Sequence, residues 1–124
     1  MRVVRSLQHK SCADGSYMKE YELDSPLTKE FFDFLKYFGR VEAVEGLGDG
    51  YYNFNKPDWF SIKGFVGDST VEVRYKKECM DITSDFVLLL FRKFKGEDTD
   101  LEFLKEKEKY REQRVRNLLR YDKE

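Results

Sequence analysis

The chain has 124 residues, with 23 basic side chains against 24 acidic, 11 Phe, 8 Tyr and 1 Trp. That length suits one domain with a sizeable core, here a Phe-rich one, and the cancelling charge gives no overall field to draw nucleic acid or anionic lipid. No apolar run approaches the roughly 20 residues a membrane helix needs, Met1–Arg5 lacks the apolar core of a signal peptide, and Cys12 and Cys79 make no disulfide framework. The sequence therefore predicts a cytoplasmic protein with no membrane segment, and its 38% charged residues lean toward a thermophile's composition.

Residues 2–23 read as a β-hairpin turning at Asp14-Gly15. A two-residue loop there sets Cys12 opposite Tyr17, Gln8 opposite Tyr21 and His9 opposite Glu20. Ser25-Pro26 then opens a helix, Ser25 as N-cap and Pro26 at the first helical position. Leu27, Phe31, Phe34, Leu35 and Phe38 form its apolar stripe, and Gly39 ends it.

From 40 to 77 the period changes to two. Arg40–Glu45, Tyr51–Asn55, Trp59–Val66 and Thr70–Lys76 read as four strands, and their short links favour antiparallel neighbours. The apolar run Phe86–Phe91 reads as a buried helix from 84 to 95, with Thr83, Ser84 and Asp85 as caps and Gly96 as the stop. Thr99 or Asp100 caps a last helix over 98–121. The whole of 1–124 is thus predicted to be a single α+β domain, ββ-α-ββββ-α-α, with the helices mainly on one face of an antiparallel sheet.

Chemistry-bearing motifs are few. The glycines Gly46, Gly48 and Gly50 could bring backbone N–H groups close to a phosphate, but no helix follows them, so the context of a nucleotide loop is missing and a flexible hairpin loop is the plainer reading. His9, Cys12 and Cys79 are too few and wrongly spaced for zinc, and no third group orients them for nucleophilic catalysis. No catalytic residue, metal ligand or cofactor is assigned, and the reading leans away from an enzyme.

Two segments are more suggestive. Between Tyr51 and Phe60 five aromatics fall in ten residues. Strand alternation turns Tyr51 away from Tyr52 and Phe54, and Trp59 away from Phe60. Tyr51, Trp59, Lys63, Phe65 and Arg74 are then expected on a platform facing away from the core, able to stack a base, a flat ligand or a partner's side chains. A sheet covered on both faces is the competing arrangement.

In the last helix Leu101, Leu104, Val115, Leu118 and Leu119 share a stripe interrupted by Glu108 and Arg111, which are spaced to pair with each other. The helix would run about 30 Å, so one end is expected to cover the sheet and the other to overhang and meet a second chain. The alternative is a helix held wholly within its own domain. Arg111, Arg114, Arg116 and Arg120 fan apart on the wheel, a weak footprint for nucleic acid.

These features favour a non-enzymatic binding or assembly module that uses the last helix, toward a second copy or another protein, with the aromatic sheet surface as a further contact. The alternative is a small-molecule binder or enzyme with a pocket between the sheet and the first helix, drawing on Gly46, Gly48, Gly50, Tyr51, Tyr52 and Trp59. Nucleic-acid binding ranks third.

Overall fold

A computed structural model describes residues 1–46 and 50–122, with side chains through Leu119. The strands are β1 (Val3–Ser11), β2 (Ser16–Leu23), β3 (Arg40–Ala43), β4 (Tyr51–Lys56), β5 (Phe60–Phe65) and β6 (Thr70–Lys76); the helices are α1 (Lys29–Leu35), α2 (Met80–Lys93) and α3 (Leu101–Asp122). All six strands join one antiparallel sheet in the order β1-β2-β6-β5-β4-β3. The expected α+β order is the one observed, with the three helices on one face.

Alternation decides which face is dry. Ile62 lies opposite Val73 and Phe60 opposite Tyr75, all buried, whereas the intervening pairs Ser61–Arg74 and Lys63–Glu72 lie on the other face. Onto the dry face α1 brings Phe31, Phe32 and Leu35, α2 brings Phe86, Val87, Leu90 and Phe91, and α3 brings Leu104 and Val115. Phe31 stacks on Phe91 at 4.9 Å and meets Phe94 edge-on at 5.3 Å. Each buried Phe removes enough apolar surface to contribute about 2–3 kcal/mol. The space between sheet and α1 is filled by Phe32, Leu35 and Phe54, all at most 1% exposed, so it holds a packed core.

Four local expectations are corrected. The hairpin loop is not two residues long: Cys12 N–H donates to Ser16 O at 2.9 Å, and Gly15 has φ +87°. Asp14 explains the longer loop, because its Oδ1 accepts both the backbone N–H (3.0 Å) and the hydroxyl (2.6 Å) of Ser16, an Asx-type closure. These bonds from Ser16 also hold the Asp14 carboxyl below the ordinary Asp range. The register moves by one, so Ser11 faces Tyr17, His9 faces Lys19 and Gln8 faces Glu20.

The first helix starts later than Ser25-Pro26. Its N-cap is Thr28, whose Oγ1 accepts the Phe31 N–H at 3.1 Å. The stretch before it is laced to the β5–β6 turn by Leu27 N–H to Asp68 O and Gly67 N–H to Leu27 O, both 2.8 Å.

The second helix starts earlier than 84. A 3-10 turn, Lys77–Cys79, runs from β6 straight into it. Thr83 and Ser84, expected as caps, instead donate their hydroxyls backward, to Cys79 Sγ at 3.7 Å and Asp81 O at 3.2 Å, the alternative use of such side chains inside a helix.

Finally, Trp59 precedes β5 rather than belonging to it. Asp58 takes φ +64°, which breaks strand alternation and swings the indole into the core, stacked on Phe86 at 5.2 Å and 11°.

Candidate functional site

Where β4 turns into β5, Lys56 cannot pass its ammonium to open water. It donates to Phe38 O at 3.1 Å, just beyond α1, and to Glu108 Oε2 at 2.9 Å on α3. Lys105 flanks the same carboxylate at 3.1 Å and caps Tyr37 O at 2.6 Å. The two cations thus meet the last carbonyls of the first helical segment, where positive charge is favoured. Glu108 is 6% exposed, and a second cation beside Lys56 is what a carboxylate so far from water requires.

Beyond this ionic bridge a cleft of about 720 Å³ lies between α3 and the β4–β5 turn. Phe38, Trp59, Val115 and Leu119 form its apolar walls, while Asp58, Glu112, Gln113, Arg116 and Asn117 carry the polar groups. Arg116 pairs with Glu112 at 2.8 Å, and Gln113 reaches Asn117 at 3.4 Å. Trp59 Nε1–H is buried and meets no acceptor among the described residues, while Lys56 Nζ sits 5.0 Å from the centre of its ring. The arrangement offers an apolar floor, side-chain amides able to pair with a peptide backbone, and charges of both signs.

The other residues singled out from the sequence are dispersed. Gly46 and Gly50 have φ of +83° and +95°, as a loop linking β3 to β4 requires; Gly48 lies outside the described residues. Tyr52 packs on Phe32 at 5.1 Å on the helix side. Tyr51 meets Phe65 edge-on at 4.4 Å on the opposite, helix-free face, with Lys63 and Arg74 on that same face by register. Burial and the nearby Glu72 carboxylate raise the Tyr51 phenol. Tyr51, Lys63, Phe65 and Arg74 thus share that face, and Trp59 is not on it.

Along α3, Leu104, Glu108 and Val115 are buried, Leu101 and Leu119 are half-buried and packed on the core, and Leu118 is 39% exposed. Through Val115 the helix lies on the body of the domain instead of overhanging it. Arg111 donates to Lys107 O at 3.5 Å and Glu108 is committed elsewhere, so the expected Glu108–Arg111 pair is replaced by Glu108 with Lys56 and Lys105.

Comparison with known proteins finds no matching family model, no matching curated protein and no matching solved structure.

His9 stacks on Tyr17 at 6.0 Å. Cys79 is buried at the start of α2, where burial pushes its thiol up. Among the described residues no three His, Cys, Asp or Glu side chains gather in a metal-binding group, and no helix is long and apolar enough to cross a membrane. Sequence reasoning missed Lys56, Gln113 and Asn117, and weighed Arg116 only as part of a nucleic-acid footprint. The i,i+3 spacing of Lys105 and Glu108 was a readable signal; nothing local could link Glu108 to Lys56, 52 positions away.

Proposed function

We propose that this chain is a binding module that takes a short extended segment of another protein in the cleft between α3 and the β4–β5 turn. The observation that carries this reading is the cleft itself, in which apolar Phe38, Trp59, Val115 and Leu119 lie beside the polar side chains of Gln113, Arg116 and Asn117. Peptide recognition uses that combination: pockets for alternate side chains and polar groups for the main chain. The buried Lys56–Glu108 bridge supports it by holding the two walls at a fixed separation, so little ordering remains to be done on binding.

Trp59 is the chain's one tryptophan and lines the cleft, so its fluorescence reports occupancy directly. Titration with a panel of short synthetic peptides should find sequences that change the Trp59 emission saturably. Asn117→Ala with Gln113→Ala should weaken those sequences about tenfold while leaving the melting temperature unchanged. Peptides that bind with no response at Trp59, or with equal affinity for the double variant, would place the site elsewhere.

A second copy is the alternative occupant of α3, favoured by the exposed Leu118 and Tyr110 on that helix. Sedimentation then finds a dimer that Leu118→Glu dissociates. A small-molecule ligand in the same cleft would appear as a ligand-dependent rise in melting temperature.

A further inference from the structure

Far from the cleft, β1 closes one side of the sheet with nine residues, whereas the other edge strand, β3, has four. Among the described residues no strand lies on the outer side of β1, so its outward N–H and C=O groups form a row ready for another strand. The apolar side chains along this edge are unusually open: Val4 is 58% exposed and Leu7 40%. Beside it runs a groove of about 420 Å³ lined by Arg2, Val3, Val4, Asp24, Leu88 and Arg92, and Leu88 on α2 is 39% exposed.

Charge says what can lie there. Residues 1–13 hold Arg2, Arg5, His9 and Lys10 and no carboxylate. Glu22 meets Arg5, but Arg2, Lys10 and Arg92 enter no ion pair among the described residues. Asp24, kept ionised by the Arg2 backbone N–H at 2.8 Å, leaves one carboxylate in the groove against the two guanidinium groups of Arg2 and Arg92. A second copy pairing edge to edge would set basic on basic, which is unfavourable across strands. The charge that opposes self-pairing favours a partner segment of the opposite charge.

We propose that β1 receives an extended acidic segment of a partner protein as an added strand, its apolar side chains filling the Val4–Leu88 groove and its carboxylates meeting Arg2, Lys10 and Arg92. Main-chain bonds supply affinity in this mode and alternate side chains supply specificity. The site is separate from the α3 cleft, and its test does not depend on that reading.

The probe is a synthetic peptide of alternating Glu and Val, about as long as β1, titrated into the full chain and followed by amide NMR and hydrogen exchange. Saturable binding should slow exchange at β1 amides and weaken steeply with salt. Arg92→Glu and Leu88→Glu, both at exposed positions on α2, should each weaken it roughly tenfold while the spectrum stays folded. A Lys–Val peptide should not bind. The proposal is overturned if the Lys–Val peptide binds as well as the Glu–Val one, or if no β1 amide gains protection. It is equally overturned if β1 amides are protected in the chain alone by a concentration-dependent dimer, or if RNA competes for the edge more strongly than the acidic peptide does.

Discussion

Glu108 Oε2 on α3 lies 2.9 Å from Lys56 Nζ on β4, with only 8% and 16% of the two side chains exposed. This contact joins the last helix to the turn that forms the facing wall of the cleft. Removing one partner leaves the other charge withdrawn from water, so Glu108→Leu should cost about 3 kcal/mol in urea unfolding followed by Trp59 fluorescence. Replacing both, as Lys56→Met with Glu108→Leu, should recover most of that loss. If single and double variants are equally destabilised, the pair is not coupled.

The cap assignment separates two hydroxyls three residues apart. Thr28→Ala removes the acceptor for the Phe31 N–H and should destabilise by about 1 kcal/mol. Ser25, whose hydroxyl reaches only Asp24 at 3.3 Å on the surface, should tolerate Ala within about 0.5 kcal/mol. Equal losses at both positions would contradict a helix starting at Lys29.

Two glycines should respond unequally to Ala. A Cβ on Gly39 would fall 2.8 Å from the backbone oxygen of Asn55 and equally near the Phe54 ring, whereas one on Gly64 would meet the Cδ1 methyl of Leu27 at 2.5 Å. Backbone yields less than the end of a side chain. Gly39→Ala should cost about 2–3 kcal/mol and Gly64→Ala less, both as overpacking. Thermal unfolding of the two variants ranks them.

The Tyr21 and Tyr75 hydroxyls are 2.8 Å apart inside the core, and burial raises both phenols, Tyr75 beyond any ordinary tyrosine. The unfolded chain releases these protons near pH about 10 while the folded pair keeps them. The unfolded state then binds fewer protons, so stability is flat below that pH and falls as pH rises above it. Urea midpoints between neutral pH and about 11 should show this alkaline loss, and Tyr21→Phe with Tyr75→Phe should flatten it.

The order of elements was legible because each carries its own period: the α1 stripe from Leu27 to Phe38, and the two-residue alternation of Val71, Val73 and Tyr75. What stayed hidden was set by single side chains or distant partners. Asp14 capturing Ser16 lengthened the hairpin loop, and the positive φ at Asp58 reversed Trp59. The ionic bridge joins residues whose sequence neighbourhoods carry no mark of each other. The cleft is built from three such distant pieces, so Trp59 was noticed for exposure when it belongs to a buried wall.

The pairing of β2 with β6, Tyr21 opposite Val71 and Tyr17 opposite Tyr75, has a consequence for the order of assembly. During synthesis the hairpin is finished long before β6 leaves the ribosome. At about 5–20 residues per second, the inner edge of β2 waits several seconds for its neighbour. An isolated hairpin is marginal in water, so the N-terminal segment spends that interval unsettled. The lasting sheet closes only when the chain has nearly reached α2.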